Sequence, residues 1–180
     1  LTLLDLNGNE IFKNHRFLLV AESDLKNRSE ELLYKTVKEG SVYRGPVEIS
    51  GISEPIITIA VPVVDINANF SALVAEINLK FFLDVVRNVS VSNESATYVV
   101  DGNGYVVAHP NSSLVFGRTN FLDRKIIAEA IAGREADTRT AGFGYKGDDG
   151  KEMFAVALPF ALMGWAVVVE DPSSVALGAS

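Results

Sequence analysis

"YVVDGNGYVVAHP", Tyr98 to Pro110, is an apolar run that enters Asp-x-Asn-Gly and leaves as a second apolar run. "LTLLDLNGNEIFKN", Leu1 to Asn14, is written the same way. Asn and Gly tolerate positive φ and close tight turns between strands. Each stretch therefore reads as a β-hairpin, with Asp5 and Asp101 at an offset of 96 (101 − 5). Later landmarks keep nearly that offset. "ITIAVPV" (Ile57 to Val63) matches "FAVALPF" (Phe154 to Phe160), and Pro62 and Pro159 differ by 97 (159 − 62). The strands that follow carry Glu76 and Glu170, which differ by 94 (170 − 76). Three landmarks in one order make the chain two copies of one module.

Within each module the hairpin is followed by a helical stretch, then three strands. The predicted helices are Asp24 to Lys38 and Leu122 to Ala132, the latter with Ile126, Ile127, Ala130 and Ile131 at helical spacing and Gly133 as C-cap. The predicted strands are Val42 to Glu48, Ile56 to Val63 and Ala72 to Ile77, then Thr138 to Tyr145, Glu152 to Phe160 and Trp165 to Glu170. A helix over Asn78 to Asn88, capped by Asn78, joins the modules. "DPSSVAL" begins another, with Asp171 as cap and Pro172 at its first position. Hairpin-linked strands favour antiparallel sheets with helices on their faces, an α+β class. The expected domains are residues 1–88 and 89–180.

The uncharged run Met153 to Val169 sits at the lower limit for a membrane span. Pro159 and Gly164 punctuate it, so it reads as two buried strands and an apolar turn. The net charge of −7 opposes binding to nucleic acid, whose phosphates call for a basic surface. It equally opposes a polybasic membrane contact. No cysteine is present, which removes disulfides and thiolate metal sites. "LTLLDLNG" has no basic leader and starts inside a strand, so the chain reads as a piece of a longer protein. His15 and His109 follow the two hairpins in similar positions, without the further ligands a metal site needs. "GDDG" (Gly147 to Gly150) lacks the spaced oxygens of a calcium loop and reads as a turn. No nucleophile elbow or phosphate loop is present. The expectation is a non-enzyme with no cofactor and no metal.

"YVVDGNGYVVAHPNSSLVFG", "AEAIAGREA" and "FAVALPFALMGWAVVVEDP" together resemble the membrane-proximal module of a double Cache sensor domain. "SVYRGPVEISGISEPIITIAVPVVDINANFSALVAEINLKFFLDVV" resembles the second part of its membrane-distal module. The resemblance implies a PAS-like fold, placed outside the inner membrane between two transmembrane helices of a bacterial receptor. It implies a small-molecule ligand in the distal module, a homodimeric receptor, and a kinase, chemoreceptor or cyclase output. The family's long N-terminal helix is missing before Leu1. Val47 stands near the tyrosine of the amino-acid-binding members, Glu76 at their aspartate, and their Arg-x-Trp element is absent. These departures argue against amino-acid sensing of that kind.

Differences between the copies point to the one that binds. At an offset of 97, Tyr43, Arg44 and Thr58 of the first copy match Thr140, Ala141 and Ala155 of the second. Side chains alternate along a strand, so Thr58 and Ala60 share one face and Ile57, Ile59, Val61 and Val63 the other. Arg44 suits a carboxylate through a two-pronged hydrogen bond. Glu76 suits an amine or hydroxyl. Tyr43 and Arg44 are adjacent, so at most one of them faces a pocket. The candidate ligand residues are Tyr43, Arg44, Thr58, Glu76 and Asp65, with Arg16 and Tyr34 nearby by analogy. The expected function is ligand sensing for a membrane receptor; the alternative is a tandem PAS-like dimerisation domain with no small ligand.

Overall fold

The computed structural model describes residues 1–15, 19–51, 53–64, 70–89, 95–137, 144–147 and 150–178. The chain forms two compact units: Leu1–Glu48 with Ile56–Asn78, and Ile49–Pro55 with Leu79–Ser180. Both are α+β, as their antiparallel hairpins dictate.

The first unit holds β1 (Thr2–Leu4), β2 (Glu10–Lys13), α1 (Leu32–Lys38), β3 (Tyr43–Ile49), β4 (Pro55–Val64) and β5 (Phe70–Asn78). Its sheet order is β2-β1-β5-β4-β3. The antiparallel register pairs Thr58 with Glu76, Ala60 with Val74 and Pro62 with Ala72. Thr2 and Leu4 pair with Val74 and Ala72. Because paired residues share a face, this register puts Leu4, Ala60, Ala72 and Val74 on one side. Leu33, Tyr34 and Val37 of α1 pack there to form the core. Ala60 and Ala72 are small enough to let the helix approach closely.

The second unit holds α2 (Lys80–Val89), β6 (Ala96–Val100), β7 (Val106–Ala108), α3 (Ser112–Phe116) and α4 (Lys125–Ile131). It continues with β8 (Ala136–Asp137), β9 (Tyr145–Lys146), β10 (Glu152–Phe160), β11 (Trp165–Pro172) and α5 (Ser173–Gly178). Its sheet order is β7-β6-β11-β10-β8, with β9 also on β10. The register pairs Ala155 with Glu170, as Thr58 pairs with Glu76. The repeat is thus structural to the residue: 155 − 58 is 97 and 170 − 76 is 94. Ile126, Ile127 and Ala130 of α4 are buried where Leu33, Tyr34 and Val37 of α1 are.

The Asp-x-Asn-Gly turns are built alike. Asp5 Oδ1 accepts the backbone N–H groups of Asn7 and Asn9, each at 2.8 Å. Asp101 Oδ1 accepts those of Asn103 and Tyr105 at 2.9 and 3.0 Å. Gly8 and Gly104 take φ of +79° and +83°. A Cβ on either would come within 2.7 Å of Ser29 N or Leu122 Cβ, so the turn lies directly on the segment that leads into the helix. Asn27 and Asn120 donate to the carbonyls of Asn7 and Asn103, tying segment to turn at an offset of 93 (120 − 27).

Those asparagines shorten both predicted helices. Asn27 Oδ1 accepts from Ser29 N–H, and Asn120 Oδ1 from Leu122 N–H. Such side-chain turns compete with helical bonding. Helix α1 therefore starts at Leu32 rather than Asp24, with a separate 3-10 turn at Glu22–Asp24, and α4 starts at Lys125 rather than Leu122. Two predicted caps shift by a residue. Asn78 pairs with Ile56 in the sheet and α2 begins at Lys80. Asp171 lies within β11 and accepts from Ser95 Oγ, while α5 begins at Ser173. The predicted strand Thr138–Tyr145 appears as β8 before it and β9 at its end; residues 138–143 lie outside the described residues. Helix α2 groups with the second compact unit, which takes Leu79–Ser180 together with Ile49–Pro55. The seventeen-residue apolar run is a hairpin closed by a Phe160–Trp165 pair, with Gly164 at φ +67°. Among the described residues no helix is long and apolar enough to cross a membrane.

Candidate functional site

A half-open cleft of about 130 Å³ lies in the first unit. Strand β3 contributes Tyr43, Gly45, Pro46 and Glu48, and β4 contributes Thr58. The segment entering α1 supplies Arg28, Glu31 and Leu33. Gly45 matters here because a Cβ would sit 3.2 Å from both the Thr58 carbonyl oxygen and the Tyr43 hydroxyl. Its bare backbone lets the tyrosine ring lie along the strand.

Arg28 is held from two sides. Its Nε and Nη2 donate to the two Glu31 oxygens at 2.9 and 2.7 Å. Its Nη1 lies 3.8 Å from Glu10, a buried carboxylate that also accepts from Lys13 Nζ and the Lys26 backbone N–H, each at 3.2 Å. The Glu31 hydrogen bond, followed by the charges of Glu31, Glu10 and Glu76, holds the Arg28 guanidinium above its ordinary range. Glu76 stands directly across from Thr58 on the same face and is exposed.

The structure brings Tyr43, Thr58 and Glu76 to one region of the sheet. Arg44 is exposed and does not line the cleft; alternation gives the inward place to Tyr43, which packs against the core. Tyr34 is a core residue whose hydroxyl donates to the Leu6 carbonyl at 2.5 Å. Asp65 and Arg16 lie outside the described residues. His109 is buried, with Nδ1 accepting the Asn111 N–H at 2.9 Å. Among the described residues no three His, Asp or Glu are grouped as metal ligands. Sequence reading missed Arg28, Glu31 and Glu48. Reapplying the repeat at the offset of 93 set by Asn27 and Asn120 would have singled out the helix start, where Glu31 matches Arg124.

That match sets the two modules apart. In the second unit Glu170 is buried, and Tyr98 Oη donates to it at 2.9 Å. Tyr145 Oη donates to the same oxygen, and Arg124 Nη1 lies 3.4 Å away. The Arg124 guanidinium also covers the Phe121 ring, 3.5 Å from its centroid. Burial raises the Glu170 carboxyl above the usual range despite Arg124 and Tyr98, which pull it down. The face that is a cleft in the first unit is therefore filled by the protein's own side chains in the second. In the first unit Thr2 stands at the place of Tyr98, and Glu31 at that of Arg124.

The Cache domain family profile matches residues 1–180, the whole of the chain. The chain belongs to the Cache domain family. Solved structures share this Cache fold at low identity. The ligand-binding domain of Mlp24 with asparagine is 15% identical with a TM-score of 0.68, over 98% of this chain and 69% of that one. The extracellular domain of rpHK1S-Z16, assigned as a histidine kinase, is 10% identical with a TM-score of 0.72, over 99% and 72%. The ligand-binding domain of the Campylobacter jejuni chemoreceptor Tlp3, in complex with 4-methylisoleucine, is 11% identical with a TM-score of 0.63, over 97% and 65%. This Cache domain thus spans about two thirds of each of those chains. No curated protein matches it.

Proposed function

We propose that this Cache domain is the ligand-sensing part of a bacterial membrane receptor, located outside the inner membrane. A small polar molecule binds in the N-terminal module, in the cleft between β3, β4 and the start of α1. The observation that carries this reading is the asymmetry of the repeat. One fold position is an open cleft lined by Arg28, Tyr43 and Thr58, while its counterpart is closed by Tyr98, Tyr145, Arg124 and Glu170. The family and the sensor domains that share its fold support the same role. Flanking membrane helices outside this chain would tether it, and the receptor would act as a homodimer with a cytoplasmic output. The ligand is bound, not converted.

Binding would favour one packing of α1 against the sheet over another, because a ligand shifts an equilibrium only by its differential affinity for two states. Tyr43 touches both the cleft and the core under α1, which makes it the natural link. The test is a thermal-shift screen of the chain against amines, amino acids, organic acids and sugars. A stabilising compound whose effect is lost in Thr58→Ala or Tyr43→Ala supports the reading. No stabilisation by any compound, or one indifferent to both variants, contradicts it.

A further inference from the structure

We infer that the second module has a ligand site of its own, an aromatic cage for a guanidinium, and that its resident ligand is the side chain of Arg124. The Arg124 guanidinium carbon lies 3.5 Å from the centroid of the Phe121 ring and 5.1 Å from that of Tyr145. Its Nη1 donates to Tyr98 Oη at 3.2 Å and lies 3.4 Å from Glu170. Tyr98 and Tyr145 both donate to that same Glu170 oxygen. Two aromatic rings, a hydroxyl and a carboxylate thus enclose one planar cation, and only 11% of the Arg124 side chain is exposed. Aromatic faces with a carboxylate are the groups that recognise a weakly hydrated organic cation, and a guanidinium stacks on them best.

Neither the helix nor the fold calls for this arginine. It stands at the residue before α4 and makes no side-chain cap. Oxygen-bearing side chains serve that place, and the helix dipole favours a cation at the other end. The first module builds the same fold without the cage. At the offset of 93, Arg28 stands at the place of Phe121 and Glu31 at that of Arg124 (121 − 28 and 124 − 31). The backbone is unchanged: Arg28 N–H donates to the Gly8 carbonyl as Phe121 N–H donates to that of Gly104, at 2.7 and 2.9 Å. There the two side chains pair with each other, Arg28 to Glu31, and a cleft stays open beside them. In the second module the cation turns to Glu170, a buried carboxylate that is costly to leave without a partner. The Arg124 side chain therefore acts as a tethered ligand. It holds the second module in its occupied packing irrespective of what the first module binds.

Shortening the tether should empty the cage and convert it into a site for a free cation. In the 180-residue chain carrying Arg124→Ala, methylguanidinium at millimolar concentration should raise the thermal unfolding midpoint saturably at neutral pH, whereas the unmodified chain should not respond. Urea, planar and similar in size but uncharged, should give no such rescue at the same concentration. Adding Glu170→Gln to Arg124→Ala should remove the rescue, since the carboxylate partner is gone. A variant midpoint that methylguanidinium leaves unmoved, or that urea raises equally, overturns the inference. Equal stabilisation of the unmodified chain overturns it as well. Nuclear magnetic resonance of the unmodified chain keeps the test independent of how well the variant folds. The Arg124 Nε proton should be shifted upfield by the Phe121 ring, and should return toward the ordinary arginine position in Phe121→Leu. An ordinary position in the unmodified chain overturns the inference.

Discussion

At the residue scale, one carboxylate position has been given two different environments. Glu170 is enclosed by Tyr98, Tyr145 and Arg124, whereas Glu76 is exposed beside a cleft. Enclosure has a consequence for stability. Burial raises the folded-state titration of Glu170 above the ordinary carboxyl value of 4.5. Between that value and the raised one the folded chain holds a proton the unfolded chain has lost. The Glu170 contribution to stability therefore falls as pH rises through this window and is constant below it. Urea denaturation from pH 4 upward should show this decline, and Glu170→Gln should abolish it. Asp5 acts in the opposite direction. Hydrogen bonds from the Asn9 side chain and the turn backbone lower its titration, so its contribution is present above the ordinary range and is lost on acidification. Tyr98→Phe removes a buried bond to a charged acceptor and should cost about 1.5–3 kcal/mol. Tyr34→Phe, by contrast, loses a bond to a backbone carbonyl and should cost closer to 1 kcal/mol.

At the element scale, the Asp-x-Asn-Gly turn is the device that places each helix. Gly8 and Gly104 combine positive φ with a close approach to the segment before α1 or α4, two reasons against any Cβ. Gly8→Ala and Gly104→Ala should each destabilise by about 1–3 kcal/mol, the cost of a strained backbone position, or more where the close contact adds to it; denaturant midpoints of both variants check this. The turn was legible in the sequence because it repeats, and β4, β5, β10 and β11 were legible because their prolines and glutamates repeat with it. The helix starts were not. Asn27 and Asn120 have ordinary helix-compatible neighbours, and only the contact of their side chains with the first turn shows that they end a loop. The site was half legible for the same reason. Strand alternation and the repeat single out Thr58 and Tyr43, which line the candidate cleft, and Glu76, which does not. Arg28 and Glu31 come from the loop that those asparagines fold back, which periodicity does not describe. The same comparison of copies singles out Arg44 against Ala141, but its neighbour Tyr43 takes the inward place.

At the scale of the whole chain, duplication leaves an open cleft in one module while the same face of the other is closed by its own side chains. Bulky Tyr98 fills the face where the first module has Thr2, and Met153 of the second module is buried at the place of Ile56. On the proposed function, ligand acts on the N-terminal module alone. Amide hydrogen exchange, measured with and without the compound that most stabilises the chain, tests this directly. At a hundred times its dissociation constant a ligand adds about 2.7 kcal/mol, enough to slow exchange where it binds. The expected result is protection of Arg28–Lys38, Tyr43–Glu48 and the residues around Thr58, with Tyr98, Arg124 and Glu170 unchanged. Protection confined to β6, β10 and β11, or no change in either module, would contradict the account.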